Sequence, residues 1–434
     1  MQCAVAEWSS AQYLRFERSD AEYLGKAADA DQPIRSLDGS SCPAATRDGV
    51  VSTWDDSGSC VDLGVGSDSP AYGGWPLFYL PAAPYLSRAP PSDLTRQASR
   101  IEARLMAAQF PRACDAQRTY YVHTVPRVGF GSVIEYASMF LARANVLGAQ
   151  LVLGPKESSS LAWSSSWACG SERSLNCYFN ITSCCTVITM GGKSLELPRR
   201  RNPLNIGLPG YSQFGGMWVS AQFANFFFTR MTPSTRAHIN ARRVLSPGSP
   251  ATIGIHIRGG DSCGARRYCP SNLTDTFFMQ AVKFRERFGV NRIFLATDNH
   301  KAVALCDARV LDFDCYHITM DRTKFESSTF IEQRVEAHAS GPLSGSTVAL
   351  DALADIDMLA DCQFLVVLLR SAVSRLALSL ALARRGKLPP FISLQWPWSA
   401  NYHKVKLKNA KGKARLPTRL SAARQRAHMR SPLQ

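Results

Sequence analysis

Three groups of residues in this chain are of types that hold phosphate oxygens. Arg258 lies at the polar end of a strand-like segment at 252–261, and a guanidinium binds phosphate through two aligned N–H bonds. Ser371 precedes a helix-like segment, where a serine hydroxyl and the first helical amides form an anion site. Gly129 and Gly131 let backbone amides approach a phosphate closely. These residues predict a site that binds a pyrophosphate and stabilises the charge it develops on leaving.

Each of these features also has an ordinary structural explanation. A glycine turn before a helix is commonly only a turn, and an arginine after a strand commonly forms a surface ion pair. A serine before a helix commonly only caps it. The complete G-x-G-x-x-G pattern is absent, because GFGSVIE (129–135) lacks the third glycine. The order of the three features along an α/β chain is what favours a shared site.

The elements that must position these residues follow from alternating periodicity between about 100 and 398. Strands are predicted at 118–125, 150–154, 252–261, 292–299, 310–316, 363–369 and 391–394. Helices are predicted at 133–148, 217–231, 232–245, 273–289, 300–308, 349–362 and 371–386. This alternation predicts an α/β fold with parallel sheets in two Rossmann-like halves. Ligands of such sheets bind at the carboxyl ends of the strands, where HIRGGD, ATDN and Ser371 lie.

Two Asp-x-Asp strings are the candidates for a metal site. Asp312 and Asp314 flank Phe313, which is predicted to be buried in a strand. Asp355 and Asp357 lie in a predicted helix, where their side chains point about 200° apart. That geometry is poor for joint chelation, and no metal is expected.

The charge of the chain is concentrated at its end. The chain has 434 residues and a formal net charge of +16. Residues 401–434 contain ten Lys or Arg and no acidic residue, so the rest carries only about +6. The tail is expected to be disordered and solvated, and no nucleic-acid partner is expected.

The cysteines and sequons favour an oxidising lumen. The chain has 13 cysteines, and none lies in a paired C-x-x-C zinc pattern. Asn180 and Asn272 begin Asn-x-Thr sequons. Disulfides are plausible between Cys263 and Cys269 and between Cys306 and Cys315. The start lacks the apolar core of a signal peptide, which favours a truncated start or a catalytic fragment.

Five motifs in the same order resemble the GDP-fucose-dependent α1,6-fucosyltransferases, the core-fucosylation enzymes and their rhizobial nodulation relatives within the protein O-fucosyltransferase superfamily. The motifs are GFGS (129–132), MWVSAQFANFFFTRM (217–231), GIHIRGGD (254–261), IFLATDN (293–299) and DIDMLADCQFLVVLLRSAVSR (355–375). They cover about 120–395. The resemblance implies a GT-B type glycosyltransferase fold, with two facing Rossmann-like domains.

The resemblance also implies roles around the phosphates. Arg258 would hold the β-phosphate and stabilise the departing GDP. Ser371 and the loop at Gly129 and Gly131 would bind the pyrophosphate.

Other positions matched by the family lie beside these. His256 and Asp355 would contact the guanosine, since a carboxylate suits the N1–H and amino group of guanine. Asp261 and Asp298 match acidic positions beside the site. Arg375 matches a helix arginine that binds the donor or supports the structure.

The implied activity is transfer of fucose from GDP-fucose to a glycan or glycoprotein acceptor, with inversion and without a metal or other cofactor. The implied location is the Golgi or secretory-pathway lumen, with membrane anchoring through a segment absent from the start of this chain. Arg258→Ala is then expected to abolish turnover with little loss of fold.

The sequence departs from the family at two places, which keeps alternatives open. Gly259 replaces the second of two adjacent arginines, and the acidic residue proposed as the family's base falls near Arg266. Asp261 is the remaining, weaker candidate for the base. The alternatives are a transferase that uses another nucleotide sugar, an inactive GDP- or glycan-binding relative, and an RNA-binding protein led by the tail.

Four segments are predicted from these patterns. They are a stem-like or loosely folded, Cys-containing lead (1–98), an N-terminal Rossmann-like, acceptor-side domain (99–246), a C-terminal Rossmann-like domain that binds the GDP-sugar (247–400), and the basic tail (401–434).

Overall fold

The computed structural model describes most of the chain from residue 92 to residue 394, together with short strands before it. The described residues are 34–35, 41–42, 52–54, 60–62, 77–79, 92–111, 120–123, 128–146, 148–153, 162–170, 174–181, 193–194, 216–246, 249–262, 273–337 and 343–394.

The described part of the N-terminal half contains small ladders, one parallel sheet and several helices. Its strands are β1 (Ile34–Arg35), β2 (Ser41–Cys42), β3 (Ser52–Trp54), β4 (Cys60–Asp62), β5 (Leu77–Tyr79), β6 (Tyr120–His123), β7 (Gln150–Leu153) and β8 (Lys193–Ser194). Its α-helices are α1 (Ser92–Gln109), α2 (Phe130–Val146), α3 (Ser166–Cys169), α4 (Gly216–Thr229) and α5 (Pro233–Arg242), with a 3₁₀ turn at Leu175–Cys177. Strands β7, β6 and β8 form a parallel sheet in that order, and β1–β2 and β3–β4 are antiparallel pairs.

The C-terminal half is built on a larger sheet. Its strands are β9 (Thr252–Ile257), β10 (Arg292–Thr297), β11 (Asp314–His317), β12 (Phe364–Val367) and β13 (Phe391–Ser393). Its α-helices are α6 (Leu273–Phe288), α7 (His300–Asp307), α8 (Ile331–Ala337), α9 (Gly345–Asp361) and α10 (Ala372–Arg385), with 3₁₀ turns at Val310–Asp312 and Thr323–Phe325. The strand order is β11-β10-β9-β12-β13-β5, and only the edge pair β13–β5 is antiparallel. The sequential order of the parallel strands reverses between β9 and β12, which is where such sheets bind ligands.

Strand β9 is buried on both faces because helices cover the sheet on each side. Ile253 and Ile255 belong to the core that includes residues of α6. Gly254 faces the other side, where a Cβ atom would lie 2.9 Å from Leu365 Cδ2. Alternation along the strand therefore places His256 on the same face as Gly254, towards α9 and α10.

The two halves share one hydrophobic core. Helices α4 and α5 pack on α10 and α9, and α2 also contacts α10. A buried ion-pair group fixes this packing: Arg243 of the first half and Arg384 of α10 both reach Asp357 at 2.5 Å. Asp357 is almost fully buried, and a buried carboxylate is tolerated only when cations and hydrogen bonds compensate it.

The structure confirms the predicted α/β fold with parallel sheets. Thr232 is the N-cap of α5, accepting from the amide of Thr235 at 3.3 Å ahead of Pro233, as predicted. Gly386 ends α10 in the left-handed region. The predicted strand at 310–316 begins only at Asp314, because a 3₁₀ turn precedes it.

Several elements were not predicted: α1, which begins inside the predicted lead, the short strands β1 to β5 and β8, and the helices α3 and α8. Strand β5 is three residues long and is defined by its pairing with β13 rather than by its own periodicity. The domain boundaries at 98, 246 and 400 remain predictions.

The predicted disulfide Cys306–Cys315 is confirmed, and a second joins Cys169 to Cys177. The predicted pair Cys263–Cys269 lies outside the described residues. No helix in the described part of the chain is long and apolar enough to cross a membrane.

Gly345, at the start of α9, is a point where the two halves touch through backbone. A Cβ atom there would overlap the carbonyl oxygen of Ala162.

We expect Gly345→Ala to lower the free energy of unfolding by about 1–3 kcal/mol or more, because a backbone group cannot rotate away. Urea denaturation would measure this loss. Gly129→Ala is the matched control, since no atom of the described residues lies within 4 Å of its added Cβ. Equal denaturation midpoints for Gly345→Ala and wild type would contradict this contact.

Candidate active site

His256 lies where the strand order reverses, between β9 and β12. Its Nδ1 is 2.6 Å from Ser374 Oγ, and that oxygen also accepts from the amide of Leu368 at 3.1 Å. Burial lowers the pKa of His256 to about 3, and the positive charge of Arg258 adds to this effect. The imidazole is therefore neutral at physiological pH. A serine hydroxyl that accepts from an amide has its own proton to donate, which fits an Nδ1 acceptor and a proton on Nε2.

Arg258 is held between two carboxylates. Its Nη1 pairs with Asp298 and its Nη2 with Asp261. Asp298 also accepts from the amide of Gly259 at 2.7 Å, and Asp261 accepts from the amide of Ile331 at 2.5 Å. The guanidinium has five N–H donors, so donors remain for a ligand on a side chain that is 25% exposed. The arrangement fixes the arginine at the carboxyl end of β9.

Asp261 is completely buried, and each of its carboxylate oxygens already accepts a bond within the chain. Its geometry suits a residue that positions Arg258 better than one that takes a proton from an acceptor. Its assignment as the catalytic base remains a prediction.

The two glycines after Arg258 make this arrangement sterically feasible. A Cβ atom on Gly259 would lie 2.6 Å from Asn299 Nδ2, and one on Gly260 would lie 2.8 Å from Asp298 Oδ2. Asn299 is itself committed, because its Oδ1 accepts from the amide of Lys301 at 2.8 Å and caps α7. A side chain at 259 would therefore displace the Asn299 side chain from its capping position.

The glycine loop meets the N-terminus of α10. A Cβ atom on Gly131 would lie 3.2 Å from the amide nitrogen of Val373, in the first turn of that helix. Ser371 is the N-cap residue, but its side chain makes no capping hydrogen bond to the described helix. No atom of the described residues lies within 4 Å of a Cβ atom built on Gly129. The structure thus brings the glycine loop of one half and the helix N-terminus of the other half together.

Arg375 joins α10 to α2, the helix that includes Gly131. Its Nε and Nη2 bind Glu135 of α2 at 2.7 and 2.6 Å. Its Nη1 donates to the carbonyls of Leu369 at 2.8 Å and Arg370 at 2.9 Å. Of the two roles that the resemblance left open, this geometry favours structural support over direct contact with a donor.

Asp355 is a buried carboxyl group with one unsatisfied oxygen. Its Oδ1 has no hydrogen-bond partner among the described residues. Burial raises its pKa to about 8, against the opposing charge of Arg322. Arg322, itself buried, donates to the carbonyls of Thr297, the last residue of β10, and of Ile318, which follows β11. Asp355 and Asp357 therefore have separate surroundings.

The described residues contain no group of three or more His, Cys, Asp or Glu that could hold a metal.

Aromatic residues that sequence reasoning missed support the glycine loop. Trp163 donates from Nε1 to the carbonyl of Val128 at 3.1 Å, and its ring packs on Phe130 with centroids 5.8 Å apart. Tyr178 also packs on Phe130, edge to face with centroids 5.6 Å apart, and donates to Ser346 Oγ at 2.8 Å. These residues lie in an irregular stretch, where no periodicity identifies them. Glu135 and Arg322 were missed for a different reason: periodicity does not show that Glu135 meets Arg375 or that Arg322 reaches Thr297.

Comparisons with known proteins give no match to a protein-family model and none to a curated protein. Among solved structures, the chain is similar to NodZ α1,6-fucosyltransferase soaked with GDP-fucose, with 16% identity, a TM-score of 0.38, and coverage of 61% of this chain and 93% of that one. It is similar to fucosyltransferase NodZ from Bradyrhizobium, with 15% identity, a TM-score of 0.37, and coverage of 60% and 92%. It is also similar to a point variant of Arabidopsis thaliana FUT1 in complex with GDP, with 9% identity, a TM-score of 0.37, and coverage of 67% and 78%. These neighbours are fucosyltransferases, the class named by the motif resemblance; likeness at this level assigns no activity by itself.

Asp355→Asn tests the buried carboxyl group. The pKa of Asp355 is about 8 in the folded chain and 3.8 in the unfolded chain. At pH values between the two, the folded chain therefore binds more protons than the unfolded chain. Unfolding free energy should then fall as pH rises, by up to about 1.4 kcal/mol per pH unit from this group. Asparagine removes this dependence, so urea denaturation should show a larger gain over wild type at pH 8 than at pH 5. Asp275→Asn, on the exposed surface of α6, is the control. An equal gain for Asp355→Asn at both pH values would contradict the raised pKa.

Proposed function

We propose that this protein transfers fucose from GDP-fucose to a glycan or glycoprotein acceptor. The observation that carries the proposal is the contact of Gly131 with the first turn of α10, next to the His256–Ser374 bond. The glycine loop and the N-terminus of α10, which lie far apart in sequence, meet near the position at which parallel sheets of this kind generally bind ligands. The motif resemblance names the donor, and the geometry supports a pyrophosphate at this crevice.

The proposed chemistry is a single displacement. The acceptor oxygen forms a bond to the anomeric carbon as the bond from that carbon to the β-phosphate oxygen breaks, which inverts the configuration. The acceptor proton passes to a base. Arg258 and the first amides of α10 stabilise the charge on departing GDP, since donors fixed in advance need no reorganisation. We propose that these donors suffice without a metal ion.

The guanine would be held by Asp355 and His256. The Oδ1 of Asp355 is buried and lacks a partner among the described residues, so guanine donors would satisfy it. These donors favour the ionised carboxylate, whereas burial alone favours the neutral acid. Nucleotide binding would thus supply hydrogen-bond donors that compensate the buried charge of the Asp355 carboxylate.

A secretory-pathway lumen such as the Golgi is the proposed location. The disulfides Cys169–Cys177 and Cys306–Cys315 support an oxidising compartment. Asn180 is exposed and therefore open to glycosylation, whereas Asn272 lies outside the described residues. Membrane anchoring through a preceding segment belongs to the same proposal.

A second candidate is a GDP- or glycan-binding protein without transferase activity. It is favoured by the two carboxylates that neutralise Arg258 and by the lack of an open oxygen on Asp261 in the described structure. Binding of GDP without turnover of GDP-fucose would identify this candidate.

Arg258→Lys tests the donor site. The expectation that Arg258→Ala leaves the fold intact needs correction, because Asp261 would remain buried without its cation, at a cost of about 3–5 kcal/mol. The variant Arg258→Lys keeps the positive charge beside Asp261 but loses the two aligned N–H donors of the guanidinium. We therefore expect its GDP affinity to fall by about tenfold or more. Calorimetry in EDTA with GDP, GDP-fucose, GDP-mannose and UDP-galactose would measure this, with exposed Arg287→Ala as the control.

Three outcomes of this titration are informative. Equal GDP affinity for Arg258→Lys and wild type would remove Arg258 from the phosphate site. A folded wild type that binds no guanine nucleotide would overturn the proposed function. Preference for UDP-galactose would indicate a transferase with a different donor.

A further inference from the structure

Trp167 is an exposed aromatic residue that the donor site does not use. Its side chain is 59% exposed, more than any other large hydrophobic residue in the described part of the chain. It belongs to the short helix α3, in the segment predicted to be the acceptor side.

The ring of Trp167 is fixed despite its exposure. Its Nε1 donates to Ser344 Oγ at 2.7 Å, and Ser344 in turn donates to Ser165 Oγ at 2.8 Å. Both serines are buried. The disulfide Cys169–Cys177 closes the chain segment that follows. The polar edge of the indole is therefore satisfied, while its apolar surface is held towards solvent with few accessible rotamers.

Trp167 lies at the same edge of the large sheet as the donor site. Ser344 immediately precedes α9, which leads into the parallel strand β12. A helix of this kind runs antiparallel to its strand, so its N-terminus lies at the carboxyl edge of the sheet. The neighbouring Trp163 supports the glycine loop through its bond to Val128. One segment thus supports the glycine loop through Trp163 and also carries the exposed ring of Trp167.

The chemistry of an indole face suits a sugar ring. The face carries negative electrostatic potential and a large apolar area, and the C–H groups on one side of a pyranose are apolar with a slight positive charge. A ring that is already ordered loses little entropy on binding. The guanine has other partners in the proposed site, since Asp355 and His256 lie in the C-terminal half.

We propose that Trp167 is the stacking platform for a sugar ring of the acceptor glycan. This inference rests on the proposed fucosyltransferase function, and it adds the chemical class of the group that the acceptor side recognises: a pyranose with one unsubstituted C–H face.

Saturation-transfer NMR on the full chain with saturating GDP would test the platform. The probes are methyl β-D-galactopyranoside, methyl β-D-glucopyranoside and methyl α-D-mannopyranoside. We expect wild type to transfer saturation to the ring C–H protons of at least one probe, and Trp167→Ala to bind that probe about tenfold more weakly. Trp167→Phe keeps an aromatic face and should retain most of the signal. Tyr316→Ala removes another exposed aromatic side chain, on β11, and should match wild type.

Several results would overturn the platform. These are an unchanged signal in Trp167→Ala, loss of GDP affinity rather than glycoside affinity in that variant, and binding of GDP but of no glycoside by wild type. The proposed function fails separately, when calorimetry shows no guanine nucleotide bound to wild type. A glycoside signal that depends on Trp167 in that case would show a sugar-binding surface but would overturn its role in recognising a fucose acceptor.

Discussion

The burial of the Asp261 carboxylate beside Arg258 is the constraint on which the site depends. A fully buried carboxylate requires a cation and hydrogen-bond donors, and Arg258 with the amide of Ile331 supplies them. Asp298 completes the arrangement on the other side of the guanidinium, and Gly260 leaves space for it. The arginine proposed to bind phosphate is therefore positioned before any ligand arrives. The same pairing makes it a structural residue, so its removal affects both folding and binding.

Buried polar contacts between the halves add specificity to the hydrophobic core that the halves share. Arg375 joins α10 to α2 through Glu135, and Asp357 joins α9 to Arg243 beside α5. Such groups are strongly favourable only when every partner is in place, so they select one relative position of the elements they join. The close approach of Gly131 to α10 depends on that position. The glycine loop proposed to bind phosphate and the N-terminus of α10 are consequently aligned by contacts within the chain itself.

Burial sets the protonation of both proposed guanosine ligands, with opposite consequences. It lowers the pKa of His256 and raises that of Asp355, because in each case the charged form is the costly one. The free site therefore holds a neutral imidazole and a carboxyl group whose proton is retained near neutral pH. Both groups can pair with the polar edge of a base, and the carboxyl group can ionise when donors arrive.

The amino-acid sequence by itself determined the features that depend on near neighbours. Apart from α1, α8 and short elements such as β5, apolar periodicity predicted the strands and helices. Thr232 and Gly386 marked helix ends, and the Cys306–Cys315 loop closed as expected. It also indicated the candidate phosphate residues, because strand ends and helix starts are local features. Tertiary structure alone decided which side chains meet. Arg375 and Glu135 are 240 residues apart, and Ile331 lies 70 residues from Asp261. Tyr178 likewise reaches Ser346 across 168 residues. No local period encodes such pairs, because they arise only when packed elements bring buried polar groups close enough to satisfy one another.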